Sequence, residues 1–177
     1  MILLTGPSAS GKTEIAKVLS KLYGIKKVVT HTTRPMRIGE VQDVDYHFVS
    51  KEEFLALQEE NYFVETTFYN NNYYGTSKKE IADDKVLVVD PNGKNAFLAL
   101  NDHKNIFFFI EANAELRRKR MIERGDSEDC IKQRLLRDES WFNEKSKEGV
   151  NYIVENENKT LEEIAKEIYD MYIERIR

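Results

Sequence analysis

The sequence predicts an α/β fold in which helices flank a parallel sheet, and three observations carry that expectation. Short β-branched or aromatic runs alternate with longer amphipathic stretches, the runs are apolar throughout, and a glycine-rich turn joins the first run to the first stretch. Strands covered by helices on both faces read as continuous apolar segments, because neither face meets water. The run ILLT comes first, with a helix expected over residues 13–23. VLVVD follows, then a helix over 92–100, and Pro91 suits a helix start. IFFFIE precedes a third helix over 114–124.

Residues 30–75 break this rhythm. Polar and aromatic residues alternate in YHFV, YFVETTFY and NYYG, and turn signals stand at Pro35, at Gly39 and at residues 70–72, which predicts a small, mostly β insertion. Farther on, 116–124 and 127–145 read as two helices meeting at Arg124-Gly125-Asp126. There Gly125 can supply a left-handed C-cap, and Asp126 or Ser127 the next N-cap. A helical pair joined this way can move. The last segment opens with Thr160-Leu161-Glu162-Glu163, a capping-box spacing, and continues with Leu161, Ile164, Ile168 and Tyr172 at helical period.

With 177 residues the chain suits a single domain on the guide of about 100–200 residues per domain. Its 27 Lys and Arg against 31 Asp and Glu give a net charge of −4, which lacks the positive field of a dedicated nucleic-acid binder. Any anion must be held by local groups. Cys130 is the single cysteine, and the glycine-rich turn arrives too early for a secretory leader, so a cytoplasmic location is expected. No apolar run approaches the roughly 20 residues that cross a bilayer, and no membrane partner is expected. His31, His47 and His103 show no metal-ligand spacing with Cys130 or with one another.

The first turn carries chemistry. Gly6-Pro7-Ser8-Ala9-Ser10-Gly11-Lys12-Thr13 matches G-x-x-x-x-G-K-[ST] between an expected strand and an expected helix. Such a loop turns several backbone N–H groups inward at a helix N-terminus, where the helix dipole also favours an anion. Lys12 would reach the β and γ phosphates of a bound nucleotide and the Thr13 hydroxyl would ligate Mg²⁺. The alternative is an ordinary glycine turn. The pattern serves hydrolases, kinases and switches alike, so it does not name an acceptor.

Arg34 and Arg37 lie near Tyr46, with Gly39 allowing a turn, so two guanidiniums and a phenol can converge on one phosphate. A solvated basic loop is the plainer alternative. Glu65 stands in an apolar, aromatic strand, where burial without a partner is costly. A carboxylate can accept both N1–H and N2–H of guanine, while a hydroxyl such as Thr76 or Thr30 serves O6. Adenine offers no such donor pair. A solvent-facing strand position is the alternative for Glu65.

The loop GPSASGKT, then TTRPMRIGEVQDVDYHFVS, VET followed by NNYYGTS, VVDPNGK and RGDSEDCIKQRL, in this order and spacing, resemble the guanylate kinase family. The resemblance implies the P-loop nucleoside monophosphate kinase fold, with a five-stranded parallel core sheet, a small mixed β GMP-binding insertion and a helical lid. It implies a core of residues 1–30, 77–118 and 148–177, a GMP-binding subdomain of 31–76 and a lid of 119–147. The implied reaction moves the γ-phosphate of ATP to GMP or dGMP with Mg²⁺ as cofactor, in a monomer or homodimer. By the same resemblance Arg34, Arg37, Tyr46 and Tyr74 meet the GMP phosphate and Glu65, Thr76 and Thr30 the base, with Asp90 near the base and the metal region. Arg120, Arg124 and Arg134 are implied as lid arginines over the migrating phosphoryl group. Arg117, Arg118 and Lys119 read as a solvated helix face.

The chain departs from the family at several places. Val88 stands at the first position of the usual D-x-D, Ala9-Ser10 where a glycine is common, and Val154-Glu155-Asn156 replaces V-N-D. Two other readings compete with this one. A related kinase acting on a ribose bisphosphate would have no purine edge for Glu65 and Thr76 to read. A guanylate-kinase-like binding module typically has a degraded P-loop, whereas Lys12 and Thr13 are intact.

Overall fold

The computed structural model describes residues 1–69 and 71–177. From the N-terminus, β1 (Ile2–Thr5) leads through the glycine-rich loop into α1 (Lys12–Tyr23), and β2 (Lys26–Lys27) follows. The insertion contains β3 (His31–Thr32), β4 (His47–Phe48), α2 (Lys51–Glu59), β5 (Phe63–Tyr69) and β6 (Asn72–Ser77). The chain returns with β7 (Lys85–Val88), α3 (Pro91–Ala99), β8 (Ile106–Glu111), α4 (Ala114–Glu123), α5 (Glu128–Trp141), β9 (Tyr152–Glu155) and α6 (Leu161–Ile176). The turn expected at 70–72 has its first residue, Asn70, outside the described residues.

The core sheet runs β2-β7-β1-β8-β9, and every neighbouring pair is parallel, as the continuous apolar runs predict. Successive residues of a strand face opposite sides, and the packing follows that alternation. Ile2 and Leu4 join Ile15, Leu19, Ile164, Ile168 and Tyr172 beneath α1 and α6. Leu3 packs with Leu87, Phe97 and Phe107 on the other side, beneath α3. This core fixes β1, and with it the loop that leaves its C-terminal end.

The second sheet, ordered β4-β3-β6-β5, is mixed: β3 and β4 are parallel, the other pairs antiparallel. It has its own small core, in which Phe54 of α2 is fully buried and stacks on Phe63 and Tyr73 with ring centroids at 4.6 and 5.3 Å. Helix α2 was not expected within a mostly β insertion. Its sequence signal was the capping box, in which Ser50 accepts from the Glu53 N–H and the Glu53 carboxylate accepts from the Ser50 N–H. Aromatic alternation on both sides obscured it.

Helices α4 and α5 meet as expected at Gly125, which adopts φ 87°, and Ser127 caps α5 by accepting from the Cys130 N–H. Helix α5 stops at Trp141, short of the expected 145, because Phe142 leaves helical geometry and packs edge-on against Phe109, after which Asn143 caps a 3₁₀ turn over Glu144–Lys147. Arg117 also differs from expectation. It is buried and forms an ion pair with buried Asp138 at 3.0 Å, where a solvated face was predicted. Among the described residues no helix is long and apolar enough to cross a membrane.

Candidate active site

The loop between β1 and α1 is shaped by backbone geometry. Gly6 and Gly11 adopt φ 137° and 103°, and a Cβ at either would lie 2.3 Å from the Ile110 carbonyl or 2.2 Å from the Asn156 side-chain nitrogen. No other residue type fits either position. Ala9 also adopts a left-handed φ, 58°, within the Ala9-Ser10 pair that stands where a glycine is common in the family. Lys12 Nζ donates to the Gly6 and Pro7 carbonyls at 2.7 Å and to Ser10 Oγ at 3.3 Å. Desolvation pulls its pKa down to about 8, against the pull of Asp138 in the other direction. Lys12 is thus a strong donor held by the loop itself, in a setting that favours an added negative charge.

A cleft of about 570 Å³ opens beside this loop and is lined by Ala9, Gly11, Lys12, Thr13, Arg120, Arg124 and Asn156, among others. Arg120 reaches across from α4, donating to the Ala9 carbonyl at 3.2 Å and the Asn156 carbonyl at 2.9 Å. Asn156 is buried and donates from Nδ2 to the Ser10 carbonyl at 2.7 Å. It braces the loop from the end of β9, a role that the sequence showed only as part of an altered V-N-D. Arg124 pairs with Asp126, and Arg134 lies 3.8 Å from the same carboxylate. Arg124 therefore lines the cleft, while Arg134 stands at the α4–α5 junction outside it.

A second cleft, of about 310 Å³, lies between the insertion and β7 and brings together Thr30, Tyr46, Glu65, Tyr74, Thr76 and Asp90. Glu65 and Thr76 face each other in the β5–β6 register, and the Thr76 hydroxyl donates to Glu65 Oε1 at 2.6 Å. Burial raises the Glu65 pKa above the ordinary carboxylate value, with Asp90 adding repulsion in the same direction. Asp90 itself caps α3, accepting from the Gly93 N–H at 2.7 Å. The exposed Val88 lines this cleft with an apolar side chain where the family pattern has its first aspartate.

Arg34 stands at the edge of this cleft, its guanidinium 5.3 Å from the Tyr46 ring centroid and 5.6 Å from that of Phe48. Both of its terminal nitrogens bond the Glu40 carboxylate, at 3.0 and 2.6 Å. The Arg37 backbone N–H joins the same carboxylate at 2.7 Å, and its side chain is exposed. One carboxylate thus gathers the two arginines expected to meet a phosphate, although neither lines the cleft.

A loop built for phosphates on one side and a carboxylate–hydroxyl pair among tyrosines on the other suit two nucleotides. A sequence profile of the guanylate kinase family matches residues 1–175. The chain belongs to the guanylate kinase family. It is similar to the guanylate kinase of Wolinella succinogenes, 36% identical over 147 residues that cover 77% of this chain and 67% of that protein. The guanylate kinase of Symbiobacterium thermophilum is 34% identical over 160 residues, 86% of this chain and 74% of that one. The crystal structure of guanylate kinase from Anaplasma phagocytophilum superposes with a TM-score of 0.70 at 25% identity, covering 100% of this chain and 86% of that chain. A shikimate kinase from Acinetobacter baumannii, with TM-score 0.55 and 13% identity over 98% of this chain and 92% of that one, shares the fold alone. Guanylate kinases are nucleoside monophosphate kinases, so this chain is a phosphotransferase enzyme with the P-loop kinase fold, and its core sheet and mixed insertion follow that family's architecture.

Proposed function

We propose that the chain moves the γ-phosphoryl group of ATP to GMP and dGMP, with the donor in the P-loop cleft and the acceptor in the second cleft. The observation that carries the acceptor assignment is the Glu65–Thr76 pair in a half-buried cleft, since a carboxylate held there matches the paired N–H donors of guanine. In this reading Gly6 to Thr13 hold the ATP phosphates, with Lys12 on the β and γ groups. Arg34, Arg37, Tyr46 and Tyr74 hold the GMP phosphate, Thr30 and Asp90 complete the base pocket, and Arg120, Arg124 and Arg134 neutralise charge on the migrating group. Residues 31–76 act as the GMP-binding subdomain, 119–147 as the lid, and the remainder as the core.

The protein fits Mg²⁺ only as a partner of the nucleotide. Thr13 lines the P-loop cleft with a hydroxyl, and among the described residues no cluster of three or more His, Cys, Asp or Glu is arranged to hold a metal. Thr13 would contribute one ligand, phosphates and water the rest, and the ion would neutralise phosphate charge. Phosphoryl transfer asks little covalent chemistry of the protein, so positioning and electrostatics carry the reaction.

A coupled assay offering GMP, dGMP, AMP, CMP and UMP with ATP and Mg²⁺ tests this function. GMP and dGMP should dominate by at least tenfold over the others. Equal use of AMP would overturn the guanine assignment.

A further inference from the structure

Asp138 is a buried carboxylate that none of the roles above employs. It lies near the end of α5, is 2% exposed, and reaches out of the lid helices to the phosphate loop. Its Oδ2 accepts from the Ser8 backbone N–H at 2.8 Å and from Arg117 Nη1 at 3.0 Å, while its Oδ1 accepts from Ser8 Oγ at 3.2 Å. Arg117, on α4, donates from Nε to the Ala112 carbonyl at 3.1 Å and from Nη1 to the Ser8 carbonyl at 3.4 Å. Ser8 is therefore held at its N–H, its hydroxyl and its carbonyl by side chains of two helices outside the loop.

We propose that Asp138 is a positioning residue for the phosphate loop, fixing Ser8 so that the neighbouring N–H groups stay turned toward the donor phosphates. The need for such a brace follows from the loop's composition. Gly6, Ala9 and Gly11 all occupy left-handed backbone, so the segment has few local restraints of its own. An apolar pair of similar size would hold α4 against α5 as well as an ion pair does, because two buried charges must first be stripped of water. Only a hydrogen-bonding group can hold the Ser8 N–H. The Asp138 charge also acts on Lys12, favouring its protonated form, and Arg117 opposes that effect. The assignment rests on the reading that this loop holds ATP.

The double variant Arg117→Met/Asp138→Leu separates a brace from a purely structural contact. It replaces the ion pair with apolar side chains, and circular dichroism and thermal melting verify its fold. The expected result is a KM for ATP about tenfold higher, the scale of one lost bond to a charged acceptor, with an equal loss in ADP affinity by calorimetry. The KM for GMP should stay within about twofold, since the GMP cleft is untouched. A folded double variant with wild-type ATP KM and ADP affinity overturns the proposal. Arg117→Met/Asp138→Asn supplies the second measurement, because an amide oxygen can still accept from the Ser8 N–H without a charge. It should recover most of the lost ADP affinity, and impairment as deep as that of the Leu variant overturns the proposal too. Wild-type protein that binds neither ATP nor ADP by the same calorimetry would instead overturn the donor reading on which the assignment rests.

Discussion

Thr76 Oγ1 lies 2.6 Å from Glu65 Oε1, donating across the β5–β6 pair into a cleft that Tyr46 and Tyr74 also line. The bond holds the carboxylate in place without neutralising it, which leaves its remaining lone pairs to meet two N–H donors. Glu65→Gln keeps the shape and replaces one acceptor by a donor facing those N–H groups. The KM for GMP should rise roughly 10- to 100-fold, since a bond to a charged group contributes about 1.5–3 kcal/mol. The KM for ATP should be unchanged. Initial rates against GMP at saturating ATP check this, and normal GMP kinetics would mean that the base is read elsewhere.

The raised pKa of Glu65 predicts a pH effect with a definite sign. The folded protein holds this proton more tightly than the unfolded chain does. Stability from the protonated form is thus fully present below the ordinary value of 4.5 and is lost as pH rises through the folded value. Binding runs the opposite way, because only the ionised carboxylate can accept both guanine N–H groups. The kcat/KM for GMP should fall on the acid side, beginning above pH 4.5, and Glu65→Gln should abolish that limb. Superimposable acid limbs in the two enzymes would sink the assignment.

Much of this arrangement was legible in the sequence because its signals are local. A strand, two special glycines and a helix start stand within one short stretch, so the loop could be placed without knowing the fold, and the Thr160 capping box marked α6 equally well. The grouping of Glu65 with Thr76 was legible from residue chemistry, since a carboxylate in an aromatic strand is costly to bury without a partner, and the two do bond across β5 and β6. What escaped was long-range. Nothing near Arg117 in the sequence announces Asp138, and a run of basic residues reads as solvated until a buried carboxylate is placed opposite one of them. Glu40 could not be read as the partner of Arg34 for a related reason: their pairing depends on the shape of the intervening turn at Gly39. Asn156 reads in the sequence only as a departure from V-N-D, whereas its bond to Ser10 joins residues 146 positions apart.

Phe54 should be the packing anchor of the four-stranded sheet. It is fully buried between Phe63 and Tyr73, and a Cβ on Gly75 would lie only 3.0 Å from its ring, so the space is already filled. Phe54→Ala should cost about 3–5 kcal/mol of stability, read by urea denaturation. The KM for GMP should rise as well, because β6 carries Tyr74 and Thr76. A loss below 1 kcal/mol would show that the sheet does not depend on this ring.

Ala9 and Gly11 should respond in opposite directions to substitution. A left-handed alanine costs about 1–2 kcal/mol, and Ala9→Gly removes that strain while adding about 0.4–1 kcal/mol of unfolded-state entropy. The melting temperature should rise by about 1–4 °C with activity retained. Gly11→Ala introduces both strain at φ 103° and a clash with Asn156 Nδ2, so stability should fall and the KM for ATP should rise. A lower melting temperature for Ala9→Gly would contradict the strain assignment.

Lys12 should make donor binding take up a proton above neutral pH. Its folded pKa is about 8 against an ordinary 10.5, because desolvation disfavours the charged form. Between those values the unfolded chain binds more protons than the folded one, so this lysine's contribution to stability improves as pH rises through that window. Donor phosphates reverse the balance by supplying negative charge beside Nζ, and the bound state keeps the proton that the free enzyme sheds. Calorimetric titration with a non-hydrolysable ATP analogue, in two buffers of different ionisation enthalpy, should find uptake of about half a proton at pH 8 and nearly one at pH 9. Lys12→Arg stays charged throughout and should bind with no such uptake, while Lys12→Ala should abolish turnover with little loss of folding. Wild-type binding at pH 9 with the same proton count as Lys12→Arg would place the titrating group elsewhere.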